Sequence, residues 1–260
     1  MSSESVIFRV EDGVAIVQLN EPESRNALST DIKTRLREIL EQVEEDDSVK
    51  VLLLSGNGRG FCAGGDIRGM SSKRTVGESI NKIQNTTKIV KKVSKLRKPV
   101  IAAVHGYAMG AGFSLVLASD IVFAEEGTKF GLSFSKIGLV PDCGLLYFLP
   151  KVVGGYRAKE LIFMGESISS EDGVGYGFVN RLVAKGSAFD EALAFAKKLT
   201  NGATMTVSTV KSILSNSDNM SLDQVIELEN YCQTIMQQTA DHEEGIRAFL
   251  ERRPANFRGV

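Results

Sequence analysis

The chain has 260 residues, of which 43% are hydrophobic and 24% charged, and its formal net charge is -1. These are the proportions of a soluble globular protein long enough to bury a sizeable core, and a near-neutral chain has no overall field to draw it to nucleic acid or a membrane surface. No apolar run reaches membrane-spanning length and MSSESVIFRVEDG lacks the apolar centre of a signal peptide, so a cytoplasmic location is expected.

Residues 6–10 and 14–19 read as two strands around the turn Glu11-Asp12-Gly13. Leu28, Ile32, Leu36, Ile39, Leu40 and Val43 then recur at helical spacing. The acidic run Glu44 to Asp47 reads as a solvated helix end. Residues 49–55 form a short apolar, β-branched run, a buried strand. A Gly-rich loop follows, then a polar segment carrying Ile80, Ile83, Ile89, Val90 and Val93 at helical intervals. The basic stretch from Lys88 to Lys98 reads as the solvent-facing side of that helix, with a phosphate patch as the alternative. Pro99 opens a strand at 100–104. A second Gly-rich turn, an apolar helix at 111–118 and a strand at 121–124 complete an alternation typical of βαβ layering. After Leu145 the strand signal fades, and segments 158–164, 190–199, 203–214 and 222–250 read as helices. The expected division is an α/β core over 1–195 and a helical region over 196–260.

The three cysteines, Cys62, Cys143 and Cys232, include no close pair, which argues against a disulfide framework. The two histidines, His105 and His242, form no Cys/His cluster of zinc spacing, so no metal site is expected. The informative chemistry lies in the loops. Gly58-Arg59-Gly60-Phe61-Cys62-Ala63-Gly64-Gly65-Asp66-Ile67 follows one buried strand. Gly106-Tyr107-Ala108-Met109-Gly110-Ala111-Gly112 follows another and opens a helix. Glycine lets backbone approach a ligand closely, and the first N–H groups of a helix lack intrahelical partners. Two such sites could aim two N–H groups at one oxygen, the design of an oxyanion hole. Each loop alone is equally a tight turn. Neither has the spacing of a Walker A or Rossmann fingerprint.

Five segments in order, RNAL at 25–28, FCAGGDI, HGYAMGAGFSLVLASD, FSKIGLVPDCG and the ending EEGIRAFLERRPANFRG, resemble the crotonase (enoyl-CoA hydratase/isomerase) superfamily over essentially the whole chain. The resemblance implies an α/β crotonase (ClpP-like) spiral fold of ββα units with a helical C-terminal trimerisation portion. It implies an acyl-CoA thioester substrate, no separate cofactor because coenzyme A is part of the substrate, and a homotrimer or dimer of trimers. Gly65 and Ala111 would supply the oxyanion N–H groups. Arg25, Ala63, Asp66 and Ile67 would surround the adenine and pantetheine. Phe249 and Arg252 would add to CoA binding from a neighbouring subunit or a swapped C-terminal helix, unless Phe249 is core and Arg252 a surface charge. Asn26 is either a helix cap or a neighbour of the ligand.

Hydratases of this superfamily use two glutamates, and Ser114 and Phe134 stand in those positions here. Water addition needs one group to activate water and another to protonate carbon, work suited to paired carboxylates. A single acid, Asp142, follows Pro141 in GLVPDCG, where several isomerases of the superfamily carry Glu or Asp. That string most resembles the branch of 1,2-epoxyphenylacetyl-CoA and Δ3,Δ2-enoyl-CoA isomerases. One base suffices to move a proton between carbons. Asp142 is otherwise a turn cap. Cys143 and Cys62 read as inert buried thiols, and Asp120 as an anchor for the turn into the next strand. The leading expectation is an acyl-CoA isomerase acting through a thioester enolate. The alternatives are an enoyl-CoA hydratase and a catalytically weak acyl-CoA-binding protein on the same fold.

Overall fold

The computed structural model describes residues 4–66 and 74–259, so Ile67 of the anticipated CoA-binding set lies outside the described residues. β1 (Val6–Glu11) and β2 (Val14–Leu19) form an antiparallel hairpin. Asp12 and Gly13 both take positive φ between them, the turn geometry that suits the right-handed twist of paired strands. There follow α1 (Thr30–Glu45), β3 (Val51–Gly56), α2 (Val76–Lys95), β4 (Val100–Val104), β5 (Tyr107–Met109), α3 (Ala111–Leu117), β6 (Ile121–Glu125) and β7 (Lys129–Gly131). The second half holds α4 (Leu145–Val153), α5 (Gly155–Met164), β8 (Ser167–Ser169), α6 (Ser170–Tyr176), β9 (Arg181–Val183), α7 (Ala188–Thr200), α8 (Thr204–Ser217), α9 (Leu222–Met236) and α10 (Ala240–Glu251).

The strands form a six-stranded sheet in the order β1-β2-β3-β4-β6-β9 and a three-stranded sheet in the order β5-β7-β8. From β2 onward the large sheet is parallel. A parallel sheet is covered on both faces, which explains why β3 is apolar without alternation. Leu52 and Leu54 join the main core with Leu36 and Leu40 of α1, Val90 and Val93 of α2 and Phe113 of α3. Val51 and Leu53 face the other way, toward Ala188, Ala192 and Ala196. That four-residue alanine spacing gives α7 a narrow stripe and lets it lie close against β3, β4 and β6.

Two sequence expectations change. Strands do occur after Leu145: β8 and β9 are three residues each, too short to carry a readable period. The segment 222–250 is two helices, because the Thr239 side chain accepts from the His242 N–H and starts α10 afresh. Asp120 is an anchor, as expected. Its Oδ2 accepts from the Val100 N–H at 2.7 Å and pairs with Lys211 at 2.6 Å, tying α8 to the sheet. No helix among the described residues is long and apolar enough to cross a membrane.

Candidate active site

Because β2, β3 and β4 are parallel neighbours, the chain leaves all three at the same edge of the sheet, and the loops there meet. The loop after β3 zips onto β5: Phe61 N–H donates to Tyr107 O at 3.0 Å and Met109 N–H to Cys62 O at 2.9 Å. The segment after β2 closes the other side. Ala63 N–H donates to Arg25 O at 3.0 Å and Leu28 N–H to Gly64 O at 2.8 Å. Residues 63–66 are thus held between 25–28 and 107–111. Asn26 fastens the arrangement from within. Fully buried, it donates through Nδ2 to Asn57 O at 2.8 Å and Gly60 O at 3.0 Å, and its Oδ1 accepts from Glu21 N–H. It does not cap α1; Ser29 does, accepting from Ile32 N–H.

Contact between the two Gly-rich loops is too close for side chains. A Cβ on Gly112 would meet Cys62 O at 2.7 Å, and one on Gly64 would meet Met109 O at 2.4 Å and stand 3.4 Å from Ala111 N. The chain therefore passes into Gly65 and into Ala111 side by side. Ala111 opens α3 after Gly110, which turns the chain at φ 51°. No acceptor among the described residues takes the amide hydrogen of Gly65 or of Ala111. Two unspent N–H groups on adjacent, mutually braced backbones can receive one oxygen and stabilise negative charge developing on it.

Asp142 is half-buried and ends the segment from Phe134. Cys143 at φ 53° and Gly144 at φ 80° then reverse the chain into α4, which packs on α3. This turn leans on α2, where Thr87 Oγ1 donates to Cys143 Sγ at 3.9 Å. Burial, and then the neighbouring Asp142 carboxylate, push the Cys143 thiol up to about 12. Burial does the same to Cys62. Neither is poised as a nucleophile. Ser114 is fully buried, its Oγ directed back to Gly110 O at 3.5 Å. The Phe134 ring lies 3.4 Å from where a Gly110 Cβ would be. At the two positions assigned to hydratase glutamates, the site thus presents an inward-turned hydroxyl and an aromatic ring.

A cleft of about 530 Å³ opens between α1 and α2, bordered by Leu28 and Asp66 on the loop side. Arg25 is exposed at its left-handed turn before Asn26. Phe249 and Arg252, expected to reach the coenzyme from a neighbouring subunit or a swapped helix, do not line the cleft of their own chain. Phe249 is 83% exposed, so it is not core, and it lines a separate groove with Ala203, Met236 and Phe257. Arg252 closes α10 in a left-handed conformation. Sequence reading passed over Lys33, which lines the cleft; its place one turn beyond Ser29 on the polar side of α1 was the available signal.

The spiral of parallel strands, with paired amides at the edge where β3 and β4 end, defines a crotonase-fold enzyme. The chain belongs to the enoyl-CoA hydratase/isomerase family, whose sequence profile matches residues 9–260, and the family acts on acyl-CoA thioesters. It is 38% identical to 1,2-epoxyphenylacetyl-CoA isomerase of Escherichia coli K12, over 98% of this chain and 99% of that one. It is 32% identical to 2,3-dehydroadipyl-CoA hydratase of the same organism, over 99% of each. Among solved structures, enoyl-CoA hydratase from Bacillus anthracis superposes with a TM-score of 0.94 at 29% identity, covering 98% of this chain and all of that one. An enoyl-CoA hydratase from Polaromonas sp. JS666 gives 0.93 at 32%, covering 97% and 99%.

Proposed function

We propose that the protein is an acyl-CoA isomerase that works through a thioester enolate. The substrate carbonyl oxygen sits between the amides of Gly65 and Ala111. Asp142 takes a proton from carbon and returns it elsewhere. On a 3-enoyl-CoA this moves the double bond into conjugation with the thioester; on an aromatic ring epoxide acyl-CoA the same pocket supports ring rearrangement. The observation that carries the reading is the pairing of an acid at Asp142 with a buried serine and a phenyl ring where a hydratase needs two carboxylates. The 38% identity to an isomerase over nearly full length points the same way. No separate cofactor is required, since coenzyme A arrives with the substrate. We further propose a trimer or a dimer of trimers, built through the exposed apolar residues of α9 and α10. The deciding assay follows purified protein with a 3-enoyl-CoA and a 2-enoyl-CoA side by side. Isomerisation of the first without hydration of the second supports the reading. Hydration of the second alone overturns it, and activity on neither favours a binding protein.

A further inference from the structure

The place of Phe134 is built by the small sheet. β5 and β7 pair in parallel, and Gly110 N–H donates to Gly131 O at 3.0 Å, so the chain leaving β7 runs beside the turn that opens α3. Phe134 comes shortly after Gly131. Its N–H donates to Leu132 O at 2.7 Å, and its carbonyl accepts from Ile137 N–H at 3.1 Å and from Leu139 N–H at 2.9 Å. The backbone is thus pinned in both directions. The ring edge then meets Gly110: Cζ lies 3.4 Å and Cε2 3.8 Å from where a Cβ would stand. Gly110 turns at φ 51° and carries no side chain, so the ring seats against bare backbone just before the Ala111 amide.

The fold uses this ring only in part. It packs against the main core yet stays half-buried. Phe113, Phe130 and Phe178 pair with one another inside that core, whereas Phe134 meets no other ring among the described residues. From Phe134 the chain runs to Asp142 past Ile137, Leu139 and Val140, whose apolar side chains are exposed, and Lys136 brings the one charge before the acid. The turn after Asp142 is also backed by a ring: Phe148 Cε2 lies 2.8 Å from where a Gly144 Cβ would stand. An acyl group whose carbonyl oxygen is held at Ala111 and whose carbon is within reach of Asp142 must lie along this segment. It meets the open part of a flat, rigid aromatic wall close to the thioester.

We propose that Phe134 is a specificity-determining residue that selects flat, aromatic acyl groups over saturated ones. The inference rests on the isomerase reading above and narrows it to one substrate class. A phenyl ring on the substrate stacks offset or edge-on against Phe134, and such pairs gain more than the area they bury. A saturated ring of the same size gains the area alone. Nor does the wall give way to a puckered group, because its backbone is held by three hydrogen bonds and its edge by Gly110. Leucine or methionine at this position would offer apolar area without a π face, and methionine would offer it on a flexible stem.

Calorimetric binding of unreactive thioesters, independent of turnover, tests it. The ligands are phenylacetyl-CoA, cyclohexylacetyl-CoA and hexanoyl-CoA, which share the coenzyme and differ in the acyl group. The proteins are wild type, Phe134→Leu and Phe134→Met, each checked for an unchanged melting temperature; the second variant stands in should the first fail to fold. Wild type is expected to bind phenylacetyl-CoA roughly 3- to 10-fold more tightly than cyclohexylacetyl-CoA. Either variant is expected to bring the two within about twofold, through loss on the phenyl ligand, while hexanoyl-CoA holds within about twofold of wild type. A wild-type preference below about twofold overturns the proposal whatever the variants do. So does a preference that survives in the folded variants, or an equal fall for all three ligands, which would mean a distorted pocket. Isomerisation is assayed separately on a 3-enoyl-CoA. A protein with the aromatic preference that fails to isomerise keeps Phe134 as the selecting wall and loses the isomerase reading; one that isomerises without the preference does the reverse.

Discussion

A Cβ placed on Gly64 would stand 2.4 Å from the Met109 carbonyl oxygen, and Gly64 holds φ at 88°. The two loops that carry the Gly65 and Ala111 amides therefore meet through bare backbone. Gly64→Ala must move Met109, and with it Ala111, whose nitrogen lies 3.4 Å from the same point. The strained φ adds about 1–3 kcal/mol of destabilisation. Displacing one oxyanion donor should lower kcat by ~10²-fold. Gly65→Pro, which deletes the N–H outright, should lose at least as much. Stopped assays on folded variants, verified by circular dichroism, check this; a folded Gly65→Pro with unchanged kcat would take Gly65 out of the mechanism.

Cys143 offers a control in the same region. With its thiol pushed up to about 12, roughly one molecule in ten thousand carries a thiolate there at pH 8. Alkylation at pH 8 should mark half-buried Cys232 well before Cys143 or Cys62. Cys143→Ala should keep kcat within about threefold, because the side chain supplies no chemistry. Cys143→Val, by contrast, puts a β-branched residue at φ 53° and should cost about 1–3 kcal/mol in denaturant titrations. A tenfold loss of kcat in a folded Cys143→Ala variant would mean that the thiol acts in the reaction.

Much of the fold was legible because its elements are long and periodic. The leucine and isoleucine spacing of α1 and the apolar run of β3 match the buried positions of both. What escaped was short or relational. β5, β7, β8 and β9 are three residues each and gain their register only from neighbouring strands. Asn26 read equally as a helix cap or a neighbour of the ligand, because only its local surroundings show in the sequence. Its actual work, bonding Asn57 and Gly60 across more than thirty residues, depends on loops that meet only in the folded chain. The Gly-rich loops announced close approach, yet only the parallel order of β3 and β4 explains what each approaches.

The C-terminal helices leave large apolar side chains in the open: Leu222 is 73%, Phe249 83% and Leu250 74% exposed. Patches of this kind mark association surfaces. Light scattering at micromolar concentration should return a trimer-based mass for wild type. Phe249→Glu combined with Leu250→Glu should return monomer, since a charge buried at an interface is expensive. A wild-type protein that is monomeric at that concentration contradicts the assembly proposed above.

Beyond α10 the tail is fastened through Glu244, which accepts from Arg253 Nη1 at 2.6 Å, Arg253 Nη2 at 3.0 Å and Asn256 N–H at 2.8 Å. The Arg253 bonds first, and then the Asn256 N–H, hold the Glu244 carboxyl at about 2, against 4.5 for the residue unperturbed. A carboxyl lowered in the folded state stabilises fully above its unfolded value, and that contribution is lost as pH falls through the folded value. Tail order should therefore persist at pH 5 and weaken progressively between about 4.5 and about 2. Carboxyl-carbon NMR titration should find the Glu244 midpoint far below that of other glutamates, and Arg253→Gln should raise it. A midpoint near 4.5 in wild type would show that the fork does not hold in solution.

The sharpest test separates Asp142 from Ser114. Asp142→Asn keeps the size of the side chain and most of its hydrogen bonding but removes the base. The turn that presents it is set by Cys143 and Gly144, so the backbone has no reason to move. If Asp142 carries the proton, isomerase kcat falls by ~10²–10⁴-fold, the range general-base catalysis supplies. Affinity for the CoA thioester changes little, because the Gly65 and Ala111 amides and the loops around them remain. Ser114→Ala should do far less. Its hydroxyl is fully buried, reaches only Gly110 O at 3.5 Å and has no base to activate it. Both variants are to be measured with one 3-enoyl-CoA substrate, single-turnover and steady-state, so that binding and chemistry are read apart. Should Asp142→Asn retain wild-type turnover while Ser114→Ala loses it, proton transfer would centre on the hydratase-like position of α3, and the isomerase proposal would fall.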